Sequence, residues 1–181
     1  MISVSTDSIE FDKNKSKIID LIQKYIPYHV FLCVYSSKEF VINICEKRIN
    51  LNDSNRRTIE KSLVTENILI NNETDIQKTF LKDLSFENID KHDLKSLYDS
   101  FSKSIVALQA SNINGEFINR PIEQSKQDLE RLERIKKLEN EILQLQNQAK
   151  KESQLNTQVK INSEVQFRRK EIELIKEKLK K

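Results

Sequence analysis

The chain has 181 residues, 37% of them hydrophobic and 33% charged, which suits one compact domain with an extension. Its formal net charge of +3 is too small to indicate nucleic-acid binding by itself. Gly115 is the only glycine, which excludes P-loop and dinucleotide-binding motifs because their phosphate loops need several glycines. Cys33 and Cys45 are too few for a disulfide framework, and His29 and His92 lack zinc-site spacing. We therefore expect no cofactor.

The beginning of the chain does not have the pattern of a targeting segment. "MISVSTDSIEFDKNK" carries acidic residues where a signal peptide has its apolar core. No run approaches the about 20 apolar residues that a membrane span needs. We therefore expect a cytoplasmic protein in a reducing compartment, without membrane contact.

The first elements are extended, then helical. "MISVS" and "IEF" predict extended segments, and residues 13–26 place six large apolar side chains at helical spacing. Pro27 is expected to end this helix.

Two apolar runs, residues 28–35 and 40–45, predict an antiparallel β-hairpin joined by "SSKE". The four-residue loop places Tyr35 opposite Phe40. In that register the two cysteines point to opposite faces of the sheet and cannot form a disulfide bond, whereas a bulge in the loop would invert this arrangement. Both faces of the hairpin are apolar, so we expect it to be covered on both sides.

The rest of the first part alternates between polar and helical patterns. Residues 52–63 predict a turn and a short polar helix, and residues 67–70 a further strand. Residues 73–86 and 90–110 each carry an apolar stripe at helical spacing. Residues 111–120 hold the only glycine and three asparagines, which indicates a linker.

The last sixty residues predict long helices, starting at Pro121, a residue that suits a first helical turn. Apolar residues follow at steps of three and four between Leu129 and Ala149, and again from Ile161 to Leu179 with Arg168 at one such position. Between these two seams, residues 150–162 lose the pattern. The sequence thus favours a chain reversal there, with one stripe buried on the other, over a continuous rod that pairs with a second copy.

These elements together predict an α+β protein with two parts. Residues 1–110 form a small mixed domain around the antiparallel hairpin with flanking helices, and residues 111–120 the linker. Residues 121–181 form a long helical hairpin, an antiparallel coiled coil.

Three stretches resemble one known bacterial family. "KKESQLNTQVKINSEV", preceded by "LENEILQLQ", resembles the C-terminal end of the family known as domain of unknown function 4391. "IIDLIQKYIPYHVFLCVY" is similar to its segment of a helix, a proline and an apolar strand, and "LKSLYDSFSKSI" to its Leu-Tyr helix before the linker. The resemblance covers most of the chain from about residue 17.

The resemblance implies a function only indirectly. The family has no established activity, and its members are often encoded beside helicases and DNA methyltransferases of restriction-type defence systems. It therefore implies an accessory subunit with a protein partner, and it brings no catalytic residues to carry over.

The sequence offers two candidate interaction sites. Tyr98 and Phe101 are either core residues of the 90–110 helix or, if that helix packs poorly on the sheet, anchors for a partner. Arg168, Arg169 and Lys170 belong to a basic stretch, residues 166–181, with seven Lys or Arg against three Glu. That stretch could contact phosphates or be an ordinary solvated helix face, and Arg168 suits pairing with a glutamate better than contact with DNA.

A nuclease-like pattern is weaker. "ICEKR" ends a strand with Glu46, Lys47 and Arg48, and Asp20 or Glu39 could supply a second metal-binding acid. Adjacent strand residues point to opposite faces, however, so the glutamate and lysine have the wrong spacing.

Other reactive residue types bring no catalytic arrangement. The sequence suggests no nucleophile for either histidine, and Cys33, in mid-strand, is expected to be inert core. We therefore expect a non-enzymatic interaction module that docks a larger nucleic-acid-processing enzyme. Direct nucleic-acid binding by the C-terminal helix is the alternative.

Overall fold

The computed structural model describes residues 1–7, 9–51 and 53–180, with residues 54–56 described by their backbone only. This part of the chain forms five strands and five helices, which confirms the α+β class. In chain order they are β1 (Ile2–Ser5), α1 (Phe11–Tyr25), β2 (Phe31–Tyr35), β3 (Glu39–Asn50), β4 (Asp53–Val64), β5 (Ile68–Leu69), α2 (Asp75–Asp83), α3 (Leu94–Asn114), α4 (Ile122–Lys151) and α5 (Leu155–Leu179).

The strands form one mixed sheet in the order β1-β2-β3-β4, with β5 also paired to β3. The predicted hairpin is β2 and β3, antiparallel, with Tyr35 opposite Phe40 and Cys33 opposite Ile42. The sheet as a whole is mixed because β1 runs parallel to β2.

Both faces of the sheet are covered, as the two apolar faces of the hairpin predicted. On one face Leu32, Val34 and Val41 pack with residues of α1. On the other face Ile42 and Ile44 pack with residues of α2, α3 and α4. The two cysteines are free thiols, which agrees with the predicted register.

Two predicted elements are wrong. Residues 53–63 are not a polar helix: they lie in β4, which pairs antiparallel with β3, while residue 52 lies outside the described residues. Because β4 is an edge strand held by backbone hydrogen bonds, it does not need the apolar alternation that reveals a strand, and charged edge strands resist aggregation. "IEF" is not extended either, since its phenylalanine, Phe11, is the buried first residue of α1.

The predicted strand at residues 67–70 and the helices at 73–86 and 90–110 are present as β5, α2 and α3. α3 continues to Asn114, so the first four residues of the predicted linker are helical. Gly115 follows with φ 78°, a left-handed conformation that glycine adopts without steric cost. The division into domains remains a prediction.

The C-terminal part is helical, but the chain does not continue as one rod. α4 ends at Lys151 and α5 begins at Leu155, so the interruption is much shorter than the predicted 150–162. The carboxylate of Glu152 accepts the backbone N–H groups of Ser153 and Gln154, at 2.8 and 2.9 Å. A glutamate side chain thus supports the bend where the sequence has neither glycine nor proline.

α4 and α5 contact each other through ion pairs and apolar side chains. Arg134 pairs with Glu171 at 2.6 Å and Arg168 with Glu141 at 2.9 Å, so contacts farther along α4 lie earlier along α5. All the apolar residues of the two predicted seams are buried or half-buried.

The end of α5 is tied back to the start of α4. Arg120 donates to the carbonyl oxygen of Leu179 at 2.7 Å and pairs with the buried carboxylate of Asp128 at 3.1 Å. None of the helices in the described residues is long and apolar enough to cross a membrane.

Candidate binding cleft

A cleft of about 1050 Å³ lies between the sheet and the helices of the first part. Its floor includes Phe31, Ile44 and Leu63 from β2, β3 and β4, and one wall is α3 from Leu94 to Val106. The first turns of α4 and the segment between α2 and α3 complete the lining. The lining is mostly apolar, which is typical of binding pockets.

The two predicted anchors lie side by side in this cleft. Tyr98 and Phe101 are three residues apart on α3, so helical geometry places them on the same face. The ring of Phe101 packs against that of Phe31 at a centroid distance of 4.4 Å. The ring of Tyr98 meets His29 edge-on at 5.0 Å.

The hydroxyl group of Tyr98 is buried and has no hydrogen-bond partner among the described residues. Burial, together with the nearby Cys45 and Glu46, raises the pKa of this phenol well above its ordinary value. The hydroxyl group is therefore neutral, and on burial it has lost its hydrogen bonds to water without gaining one to another described residue.

The rim of the cleft exposes large apolar side chains. Met1 is 90% exposed, Leu94 85%, Phe86 76% and Tyr28 73%. Single exposed apolar residues are ordinary on protein surfaces, whereas these four residues surround one apolar cleft and extend its apolar surface.

Several charged side chains also line the cleft. Glu46 and Lys61 lie opposite each other across β3 and β4. Lys95 on α3, Lys126 on α4 and Asp99 complete the charged lining. Lys95 forms no ion pair with another described residue.

The nuclease-like residues do not form one site. Lys47 is buried, and its ammonium group donates to the carbonyl oxygens of Ile26 and Tyr28 at 2.7 and 3.0 Å. Burial lowers the pKa of this lysine. Its role is to hold the chain between α1 and β2, while its neighbour Glu46 is exposed.

The other members of that pattern lie elsewhere. Arg48 pairs with Glu60 across the β3–β4 ladder at 2.6 Å. Contrary to the sequence prediction, Glu46 lies within β3 and does not end the strand, because β3 continues to Asn50. Glu39 is the first residue of β3, about 23 Å along the strand from Glu46, and accepts from Asn67. Asp20 is exposed on α1.

The structure also shows the surroundings of His92 and Cys33. His92 is exposed and lies 3.5 Å from Asp93, while burial raises the pKa of the Cys33 thiol in mid-strand. No group of three His, Cys, Asp or Glu residues within the described residues is close enough to hold a metal ion.

The three basic residues of α5 have different surroundings. Arg168 pairs with Glu141 and lies within 3.5 Å of Glu164, and its hydrogen bond lowers the pKa of Glu141. Arg169 and Lys170 are exposed and have no ion pair with another residue in the described part of the chain.

Sequence reasoning found two residues of the cleft and missed the rest. The predicted helix over residues 52–63 hid the pairing of Glu46 with Lys61, because Lys61 lies in β4. Phe86 and Leu94 flank a polar segment, and a lone phenylalanine there was the one available signal. His29 was considered only as a base, whereas it packs against Tyr98.

The fold and cleft define a class: an α+β protein with a mixed five-stranded sheet, a helical C-terminal part and an apolar cleft. The chain belongs to the family described as Domain of unknown function (DUF4391), whose model matches residues 1–172. The resemblance inferred from the sequence is thereby confirmed, and the match includes the first residues as well. No curated protein and no solved structure showed significant similarity to the chain.

Proposed function

We propose that this protein is a non-enzymatic accessory subunit that docks a larger nucleic-acid-processing enzyme through the cleft of Tyr98 and Phe101. The partner in this proposal is a helicase or a DNA methyltransferase of a bacterial defence system, in the cytoplasm. The observation that supports it is the apolar cleft, whose rim is exposed and whose interior the described residues do not fill.

The cleft is continuous with the core of the first part. Ile44, Leu63 and Leu129 belong to the buried cluster on this face of the sheet and also line the cleft. An apolar side chain that moves from water into such a surface contributes about 2 kcal/mol. A partner that covers the four rim residues therefore gains several kcal/mol, which is the scale of a binding hot spot.

The helical part has a different role in this proposal. We treat α4 and α5 as an antiparallel coiled coil that forms an arm, supported by the ion pairs Arg134–Glu171 and Arg168–Glu141. Its seam is occupied by its own side chains, so the cleft, and not the seam, offers apolar surface to a partner.

The test is co-expression of this chain with a helicase and with a DNA methyltransferase of the defence systems encoded in the same genome, followed by size-exclusion chromatography and titration calorimetry. The test variants are Phe86→Asp and Leu94→Asp at the rim. Phe167→Asp is the matched control, because Phe167 is 69% exposed on α5 and lies outside the cleft.

We expect a complex that both rim variants weaken at least about tenfold and that the control leaves unchanged. Absence of a complex with either enzyme, or a complex that is indifferent to the rim variants, contradicts the proposal.

Direct nucleic-acid binding by α5 is the second candidate, and the exposed, unpaired state of Arg169 and Lys170 favours it. The double variant Arg169→Glu/Lys170→Glu tests it without breaking the Arg168–Glu141 pair. Fluorescence anisotropy with duplex and single-stranded DNA should then show salt-dependent binding that the double variant abolishes.

A further inference from the structure

We propose that Asn114 is a site of spontaneous modification, at which the side-chain amide is lost through a cyclic imide when the end of α3 opens. This inference goes beyond the proposed function and is independent of it, because Asn114 and Gly115 lie outside the lining of the cleft. Three features carry it: the residue that follows Asn114, the hydrogen bond at the end of the helix, and the surroundings of the amide oxygen.

The sequence supplies the chemistry of the reaction. Gly115 is the only glycine, so Asn114–Gly115 is the only Asn-Gly pair in the chain. The backbone nitrogen of a glycine has no side chain beside it to hinder its approach. Once hydroxide removes its proton, this nitrogen attacks Cγ of Asn114. The new C–N bond closes a five-membered imide, and the side-chain nitrogen takes a proton from water and leaves as ammonia. Water then opens the imide at either carbonyl group, which gives aspartate or isoaspartate.

The end of α3 withholds the nitrogen that must attack. Asn114 is the last residue of α3, and Gly115 follows it with φ 78°. The N–H group of Gly115 donates to the carbonyl oxygen of Ser111 at 2.8 Å. The nitrogen is therefore directed back along the helix, and its proton is held by an acceptor. The reaction requires that this last turn opens first.

The amide oxygen of Asn114 lies where developing charge is not stabilised. Attack on Cγ places negative charge on Oδ1 before ammonia leaves. In the folded chain this Oδ1 is buried and has no hydrogen-bond partner among the described residues. A buried oxyanion without donors is costly, and preorganised donors at such a position are what accelerate acyl chemistry. The folded site is thus slow for two separate reasons, and opening removes both.

The opening of this turn is coupled to the C-terminal helices. Ile113 precedes the reactive residue and packs against the apolar cluster of α4 and α5, which consists of Ile135, Leu138, Ile172 and Leu179. A weaker contact of Ile113 with this cluster makes opening of the turn less costly. The rate of amide loss therefore reports how firmly the end of α3 is attached to the helical part.

The product does not fit the same structure. Aspartate at this position puts a negative charge at the C-terminal end of α3, where the helix dipole disfavours it, and on a buried oxygen without donors. Isoaspartate lengthens the backbone between Asn114 and Gly115 by one methylene group, which displaces the hydrogen bond to Ser111. Modification thus loosens the end of α3 and leaves a lasting chemical change in chains that have opened there.

The test follows amide loss in the full chain in mildly alkaline buffer, folded and in urea, by peptide mapping with mass spectrometry. Isoaspartate identifies the imide route, because direct hydrolysis of the side chain gives only aspartate. Asn162, exposed on α5 and followed by serine, is the internal reference. Ile113→Ala weakens the contact with the C-terminal helices, and Leu143→Ala, exposed on α4, is the matched control.

We expect Asn114 to lose its amide faster than Asn162 in urea, with isoaspartate among the products. In the folded wild type the reaction at Asn114 should be at least about tenfold slower than in urea, since a tenfold change in rate corresponds to about 1.36 kcal/mol of opening free energy. Ile113→Ala should speed the folded reaction at least about threefold without changing the rate in urea, and Leu143→Ala should change neither rate.

Equal rates in the folded and the unfolded chain overturn the inference. So does a folded rate that is indifferent to Ile113→Ala, or amide loss without isoaspartate. The effect of the product is tested by hydrogen exchange. Asn114→Asp should speed exchange in the last turn of α3 at least about tenfold, whereas Asn162→Asp should leave it unchanged. Exchange in Asn114→Asp equal to that of the wild type contradicts the loosening assigned to the product.

Discussion

The buried hydroxyl group of Tyr98 leads to a prediction opposite to the usual effect of a core substitution. Most changes in a protein interior destabilise it. Here the hydroxyl has no partner among the described residues, whereas in the unfolded chain it is hydrated. An unpaired buried hydroxyl costs about 1–3 kcal/mol. Tyr98→Phe removes that cost and keeps the ring that packs against His29.

We therefore expect Tyr98→Phe to raise the free energy of unfolding by about 1 kcal/mol. For a chain of this length the melting temperature should rise by about 3 °C. Urea unfolding, followed by far-UV circular dichroism, gives the free energy at constant slope, and calorimetry gives the melting temperature.

Tyr25→Phe is the matched control, because Tyr25 is 70% exposed on α1 and its hydroxyl can stay hydrated. Its free energy of unfolding should stay within about 0.5 kcal/mol of the wild type. If Tyr98→Phe is neutral or destabilising while the control is neutral, the hydroxyl has a partner in solution and the reasoning is refuted.

Three further predictions concern stability. Burial raises the pKa of Tyr98 in the folded protein, so this phenol ionises in the unfolded chain first as the pH rises. The free energy of unfolding of the wild type should therefore fall above about pH 10, and its difference from that of Tyr98→Phe should widen in urea titrations. Lys47→Ala leaves two carbonyl oxygens without their donor and should lower the free energy of unfolding in urea by about 2–3 kcal/mol. Lys17→Ala, on the exposed face of α1, should lower it by less than about 0.5 kcal/mol. Equal losses in the two variants would refute the role of Lys47 as a bridge between the chain segments. Arg120→Ala removes the donor to the carbonyl oxygen of Leu179 but leaves Asp128 paired with Arg131 at 2.9 Å, so it should cost about 1–2 kcal/mol and speed hydrogen exchange in the last turn of α5. Arg169→Ala should do neither, and unchanged exchange in Arg120→Ala would contradict the anchoring of α5.

Much of the fold could be predicted because apolar periodicity reports burial directly. The β2–β3 register followed from the number of residues between two apolar runs, and α2 and α3 followed from stripes at helical spacing. β4 could not be found in this way. Its pairing depends on backbone hydrogen bonds to β3, and its polar side chains resemble those of an exposed helix.

The interruption between α4 and α5 illustrates a second limit. The loss of pattern over residues 150–162 predicts a long turn, yet most of these residues are helical. The bend depends on Glu152, whose carboxylate binds two backbone N–H groups, and no glycine or proline marks it. A side chain that caps its own neighbours has no signature in apolar spacing.

The cleft was only partly predictable for a related reason. Tyr98 and Phe101 were identified as possible anchors because they are aromatic and lie on one helix face. Whether they were core or surface depended on how well α3 packs on the sheet, and that depends on the volumes of residues from several elements.

The contacts of Lys47 make the two sides of the cleft unequal in stiffness. On one side the ammonium group of Lys47, on the sheet, donates to the carbonyl oxygens of Ile26 and Tyr28. On the other side the hydrogen bonds of residues 84–93 are local, and the segment is held by apolar packing, with Leu84 against the core and Ile89 buried. The first side is thus held by hydrogen bonds between elements and the second by local hydrogen bonds and packing, so an incoming chain would displace the second side first.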